Sequence, residues 1–210
     1  MTTADRSAGR RLVFEDHFDA AELNLAVWLP HYLPAWGSLA ATAASYDIHD
    51  SCLHLRIPTD QGRWLPQVHP APLRVSGIQS GNFSGPVGLE DSPERSAEIC
   101  VTEMFGDAVE PGGSTAVGMG LHSFRDPAVA EDFEAVRLPI DLGDFHTYAV
   151  DWTADQVEFF VDGQAIRTCA DPPRYPMQMM IAVFDFPDRT SGGDDTVVPE
   201  LVVDYLRCYD

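Results

Sequence analysis

The segment from Phe145 to Cys169 contains a β-hairpin in its most legible form. Phe145-His146-Thr147-Tyr148-Ala149-Val150-Asp151-Trp152 and Gln156-Val157-Glu158-Phe159-Phe160-Val161 are rich in aromatic and β-branched residues, which suit a pleated, half-buried surface. Asp162-Gly163 then offers the two left-handed positions a tight hairpin turn needs before Gln164 to Cys169. The pattern recurs. Ser45 to His49, a turn at Asp50-Ser51, and Cys52 to Ile57 form a second hairpin whose later arm alternates cleanly. Leu12 to Asp19, Leu73 to Gln79, Ala116 to Phe124 and Leu201 to Tyr209 read as further strands. Pro176 to Phe186 is nearly continuous apolar, as a strand covered on both faces would be. Ala20 to Leu29 has helix-forming residues, but Pro30 and Pro34 stop it. No helical period lasts three turns and no long repeat is present. The expectation is an all-β chain, a sandwich or barrel.

The 210 residues suit one domain. Residues 1–11 read as a flexible arm and 12–210 as a single β-sandwich domain, with no linker to split it. A formal net charge of -20 excludes nucleic acid and anionic membranes as natural partners and is compatible with a neutral polysaccharide or oligosaccharide. No stretch of 18 apolar residues offers a membrane span. The polar, arginine-bearing start lacks the apolar run of a secretory signal. The expected location is therefore cytoplasmic, or secreted if a leader has been removed. Cys52, Cys100, Cys169 and Cys208 are too widely spaced for a Cys-x-x-Cys zinc site and read as reduced, mainly buried thiols.

The chemistry points to Glu98-Ile99-Cys100-Val101-Thr102-Glu103, an apolar strand with two carboxylates five positions apart. In a regular strand these face opposite sides. One bulge between them would bring Glu103 to the face of Glu98. Two carboxylates converging on one sheet face are what glycoside hydrolysis requires: one attacks the anomeric carbon and the other protonates the leaving oxygen. The alternative is an edge strand with solvated glutamates.

Several segments together resemble glycoside hydrolase family 16, the laminarinase and lichenase group. Phe14-Glu15-Asp16-His17-Phe18-Asp19 is similar to its opening strand, with Trp28 following. Phe145 to Trp152 with Val157 to Gly163 is similar to its "FHTYAVEW…FYVDG" signature, and Val203 to Tyr209 to its closing strand. The resemblance implies a concanavalin A-like jelly-roll sandwich of two antiparallel sheets. It makes Glu98 the nucleophile and Glu103 the general acid/base of a retaining mechanism. It places Cys100 where the family has the aspartate that hydrogen-bonds the nucleophile. A thiol removes one negative charge, which should lower both glutamate pKa values relative to the family pattern. It also implies a cleft lined by His122.

Trp36, Trp64 and Phe124 are the aromatic candidates for stacking on sugar faces. Trp28 and Trp152 are assigned to the core and His146 to a structural role. Glu131, Asp132 and Glu134 read as a solvated loop. The 17 residues from Gly81 to Ala97 are too few for the strand and Trp-rich stretch the family carries there. No cofactor is expected. The family's calcium, where it occurs, lies near the opening motif and the closing aspartate, here Asp204. His17 replaces an acidic residue in that motif, and the acidic loop of Asp185, Asp188, Asp194 and Asp195 has no calcium-loop pattern. The expected function is glycosidase-like cleavage of a neutral β-glucan or related glycoside. The alternatives are a non-hydrolytic carbohydrate- or ligand-binding sandwich, or an intracellular biosynthetic enzyme on a non-sugar substrate.

Overall fold

The computed structural model describes residues 9–67, 69, 71–81, 93–110, 113–189 and 197–210. Its regular structure is almost wholly strand. In chain order the strands are β1 Leu12–Asp16, β2 Trp28–Leu29, β3 Tyr46–His49, β4 Cys52–Arg56, β5 Arg74–Ser80, β6 Glu98–Glu103, β7 Val109–Glu110 and β8 Ser114–His122. They continue as β9 Asp132–Leu138, β10 Tyr148–Trp152, β11 Gln156–Val161, β12 Gln164–Ala170, β13 Met180–Asp185, β14 Glu200–Val203 and β15 Leu206–Tyr209. The described pairings are antiparallel.

The chain divides into two compact units, one of Met1–Ala8 and Val87–Pro176, the other of Gly9–Pro86 and Met177–Asp210. In the first, β8 pairs with β6 and β7 along one edge and β9 along the other, while β10, β11 and β12 form a second sheet. Period-2 alternation builds its core. Val117, Met119 and Leu121 of β8 and Val157, Phe159 and Val161 of β11 are each at most 4% exposed and belong to one cluster. Enclosing each such side chain is worth roughly 1.5–3 kcal/mol relative to leaving it in water. The intervening β8 residues Gly118, Gly120 and His122 face the other way. That second face carries the site.

In the other unit β4 lies between β3 and β14, β5 between β13 and β2, and β1 pairs with β15. Leu53 and Leu55 of β4 pack with Phe18, Trp28 and Ile78. Trp28 is buried as expected, and its indole N–H donates to Asp16 Oδ2 at 2.8 Å. Both hairpin turns have the expected backbone: Asp50 and Ser51, and Asp162 and Gly163, all take positive φ. That is the type I′ geometry matching the twist of the strands.

Several elements differ from expectation. Pro176 to Phe186 is not covered on both faces: β13 is an edge strand, half-buried, with Phe184 at 40% exposure. The closing run is two strands, β14 on β4 and β15 on β1. Trp152 is not core; at the end of edge strand β10 it is 42% exposed, with its N–H donating to Pro173 O at 2.9 Å. The last residue of the expected arm is tied down, since Arg11 and Asp210 exchange backbone hydrogen bonds and an ion pair. Residues 1–8 lie outside the described ones. The four cysteines are unpaired with one another, Cys100 and Cys169 buried and Cys52 and Cys208 half-buried.

Candidate active site

β6 runs along β8 with Glu98 opposite His122, Ile99 opposite Leu121 and Cys100 opposite Gly120. The register then shifts, and Glu103 stands opposite Gly118. Val101 and Thr102 therefore face a length of β8 that holds only Met119, a bulge. Directly opposed residues share a sheet face. Glu98, Cys100 and Glu103 thus join Gly118, Gly120 and His122 on the face turned away from Val117, Met119 and Leu121.

Glycine is required across from the cysteine. Gly120 sits at φ +147°, and a Cβ there would lie 2.1 Å from the Asp132 carbonyl oxygen. The close approach of β9 also brings Phe133 over the face, where its ring stacks on His122 with centroids 4.5 Å apart.

The electrostatics of the trio are unusual. Glu98 is exposed at its edge, yet protein crowds its carboxyl group; this desolvation pushes its pKa above the usual carboxylate range. The charge of Glu103 acts in the same direction, while His122 and the Cys100 hydrogen bond oppose it. Burial pushes the Cys100 thiol far above its ordinary range, reinforced by the charges of Glu98 and Glu103. At neutral pH Cys100 is therefore an S–H group, donating weakly to Glu103 Oε2 at 3.8 Å. An aspartate in its place would accept hydrogen bonds and share a proton; the thiol does neither.

Glu131 lies in an exposed loop, as expected, but its carboxylate is engaged. Its carboxylate meets His122 Nδ1 at 2.6 Å and accepts from the Ser123 N–H at 2.9 Å. The Ser123 bond, then the His122 bond, hold its pKa below the usual range. Asp132 and Glu134 lie in β9 and pair with Arg167. Two further residues brace the start of β6. The Tyr175 hydroxyl accepts from the Ala97 N–H at 3.0 Å and donates to Asp126 at 2.7 Å. Desolvation, with help from Asp126, pushes its pKa up to about 12, so it stays a donor. Alternation of Phe133 and Ala135 with Asp132 and Glu134 was a readable sign of β9. Nothing local marked Tyr175.

With this geometry in place, likeness to known proteins becomes informative. The family model described as "Glycosyl hydrolases family 16" matches residues 122–197. A beta-glucanase from Rhodothermus marinus is 31% identical over 91 residues, 36% of this chain and 32% of that protein. Over these stretches the chain is similar to glycoside hydrolase family 16. An endo-β-galactosidase from Clostridium perfringens that releases GlcNAcα1-4Gal superposes with a TM-score of 0.78 at 20% identity, over 96% of this chain and 63% of the other. The catalytic domain of a laminarinase from Thermotoga petrophila superposes with a TM-score of 0.61 at 16% identity, covering 96% and 98%. The fold is thus the all-β jelly roll expected for family 16. The family-model match begins at His122, so Glu98 to Glu103 precede it.

Within this jelly-roll fold the remaining candidates divide. Phe124 follows the site strand, 56% exposed, its centroid 5.8 Å from that of His122. Its φ of 45° is unusual for a bulky side chain, and such strain concentrates at functional positions. Trp64 is a correction: it is only 6% exposed, clustered with Leu65, Leu73 and Val75 and with Tyr32 edge-on at 5.4 Å, so neither ring face is offered to a sugar. Trp36 is half-buried against it in the same unit. His146 links Asp162 and the Asp141 carbonyl, fixing the turn between β11 and β12. The shortened stretch before β6 falls largely at 82–92, outside the described residues, as do Asp194 and Asp195.

Proposed function

We propose that this chain hydrolyses a neutral β-linked glycan with retention of anomeric configuration. The observation that carries the reading is the bulge that turns Glu103 onto the face of Glu98. In the first step a Glu98 oxygen bonds to the anomeric carbon as the glycosidic C–O bond breaks, and Glu103 gives its proton to the departing oxygen. In the second step Glu103 takes a proton from water, the water oxygen attacks the anomeric carbon, and Glu98 leaves as a carboxylate. Phe124 is the platform on which a sugar ring stacks, and His122 faces the same surface. The net charge of -20 favours an uncharged polymer over an acidic one. The family likeness supports glycoside hydrolysis. Glucanase and galactosidase names among the relatives make β-glucan the first class to try and β-galactoside the second.

The test is mass-spectrometric product analysis after incubation with β-1,3, β-1,4 and mixed-linkage oligosaccharides, with Glu98→Gln in parallel. Cleavage by the wild type alone supports the reading. Equal cleavage by the variant, or none by a folded wild type, overturns it. Cys100 favours a second reading, glycan binding without turnover, because it replaces the aspartate of the resembled motif. Calorimetric binding without product would select that reading.

A further inference from the structure

The cysteine that departs from the family's motif also gives the site a soft ligand beside an imidazole and a carboxylate. We propose that Cys100, Glu103 and His122 form a zinc-binding site, with water or a substrate hydroxyl completing a tetrahedron. One ligand atom from each residue lies within 4.8 Å of the others. Zinc bound at about 2.3 Å to sulfur and about 2.0–2.1 Å to nitrogen or oxygen sets ligand atoms about 3.5 Å apart. Cys100 Sγ and Glu103 Oε2, at 3.8 Å, are already close to that spacing. The remaining separations, at most 4.8 Å, would have to shorten by about 1 Å as the three side chains close on the ion.

A second, independent observation is the way His122 is held. Its Nδ1 meets Glu131 at 2.6 Å and its ring is stacked on Phe133. A carboxylate on the far nitrogen of an imidazole fixes tautomer and orientation, the arrangement that accompanies zinc-bound histidines. With Nδ1 committed to Glu131, Nε2 is the ligand atom. The donor set also selects the metal. A thiolate, an imidazole and a single carboxylate oxygen suit zinc, whereas calcium and magnesium need shells of oxygen. Binding breaks the Cys100 S–H bond, the electron pair passing to zinc and the proton to solvent.

The consequence for turnover rests on the glycosidase reading above. Zinc held here occupies the carboxylate that must deliver the proton, so it inhibits hydrolysis.

The experiment measures binding first and activity second. Protein stripped with chelator is titrated calorimetrically with zinc in excess magnesium, which suppresses loose attraction to an acidic surface. Cobalt is then used as a spectroscopic probe. The proposal requires one zinc per chain, a thiolate-to-cobalt charge-transfer band, and at least tenfold weaker binding in both Cys100→Ser and His122→Gln. Glu131→Gln should weaken binding by about 10–100-fold through the imidazole alone. Thermal melts confirm that each variant folds. No stoichiometric zinc, or a charge-transfer band and affinity unchanged in Cys100→Ser, overturns the site. Glycan cleavage with and without zinc separates the two readings. Zinc bound by Cys100 without any cleavage upholds the metal site and removes the hydrolase, while cleavage indifferent to zinc and no stoichiometric binding does the reverse.

Discussion

Two regions of this molecule gather carboxylates and histidines, and physics treats them in opposite ways. On β3, β4 and β14, Arg56 reaches Glu200 at 2.7 Å and Asp47 at 2.6 Å, and Glu200 also meets His54 at 2.9 Å. His49 stacks on His54 with ring centroids 3.6 Å apart. The Arg56 hydrogen bond, then that of His54, hold the Glu200 pKa below the usual range. On β6 and β8, Glu98 is governed instead by desolvation and the neighbouring charge of Glu103, which push it up. The first group is a set of charges satisfied by their partners, and folding benefits from it. The second holds a carboxylate in an environment that disfavours its charge, a cost that catalytic sites tolerate for reactivity.

The largest effect expected from this contrast is on turnover. Glu103→Gln removes the proposed proton donor and should lower kcat by about 10²–10⁴-fold, with little change in melting temperature because the amide keeps the size of the side chain. Steady-state kinetics and a thermal melt on one sample decide it; full activity, or a collapse in stability, would place Glu103 among structural charges. Arg56→Ala should do the converse. Separating Arg56 from Asp47 and Glu200 should cost about 1–2 kcal/mol of stability, a charged hydrogen-bond network discounted for its partial exposure, and leave kcat alone. Loss of turnover without loss of stability in that variant would break the comparison. Smaller again is Phe124→Ala. Losing one stacking face, worth about 0.5–1.5 kcal/mol, should raise KM by up to about tenfold with little change in kcat.

How much of this was legible depends on how local the cause is. The hairpins at Asp50-Ser51 and Asp162-Gly163 were readable because turn chemistry and period-2 alternation act over a few residues. The bulge was legible only through its consequence, two glutamates at a spacing that a flat strand cannot bring to one face. Trp64 and Trp152 were each assigned the other's environment. Aromatic identity does not reveal exposure, which follows from whether a residue lies under a packed cluster or at the end of an edge strand. The closing run looked like one strand because only Asp204-Tyr205, with no Gly or Pro, separates Glu200–Val203 from Leu206–Tyr209; that they pair with different strands is a long-range fact. Glu131 and Tyr175 were missed for the same reason. Their partners lie 9 residues away in one case and 49 and 78 in the other.

The smallest predicted effect tests whether a histidine–carboxylate pair outside the site behaves as the structural kind. His146 Nδ1 meets Asp162 at 2.8 Å and its other nitrogen meets the Asp141 carbonyl at 3.0 Å. The Asp162 bond, aided by that of Asp141, raises the His146 pKa above its ordinary value. The folded state therefore favours the imidazolium. Its contribution to stability is complete below the unfolded histidine pKa of about 6.5 and is lost as pH rises through the raised folded value. Asp162 is 44% exposed, so solvent screening keeps the contribution under about 1 kcal/mol. Urea midpoints of wild type and His146→Gln should differ most near pH 5.5 and converge toward pH 9. A difference that instead grew with pH would mean that the neutral ring, and not the charged pair, secures the turn at Asp162-Gly163.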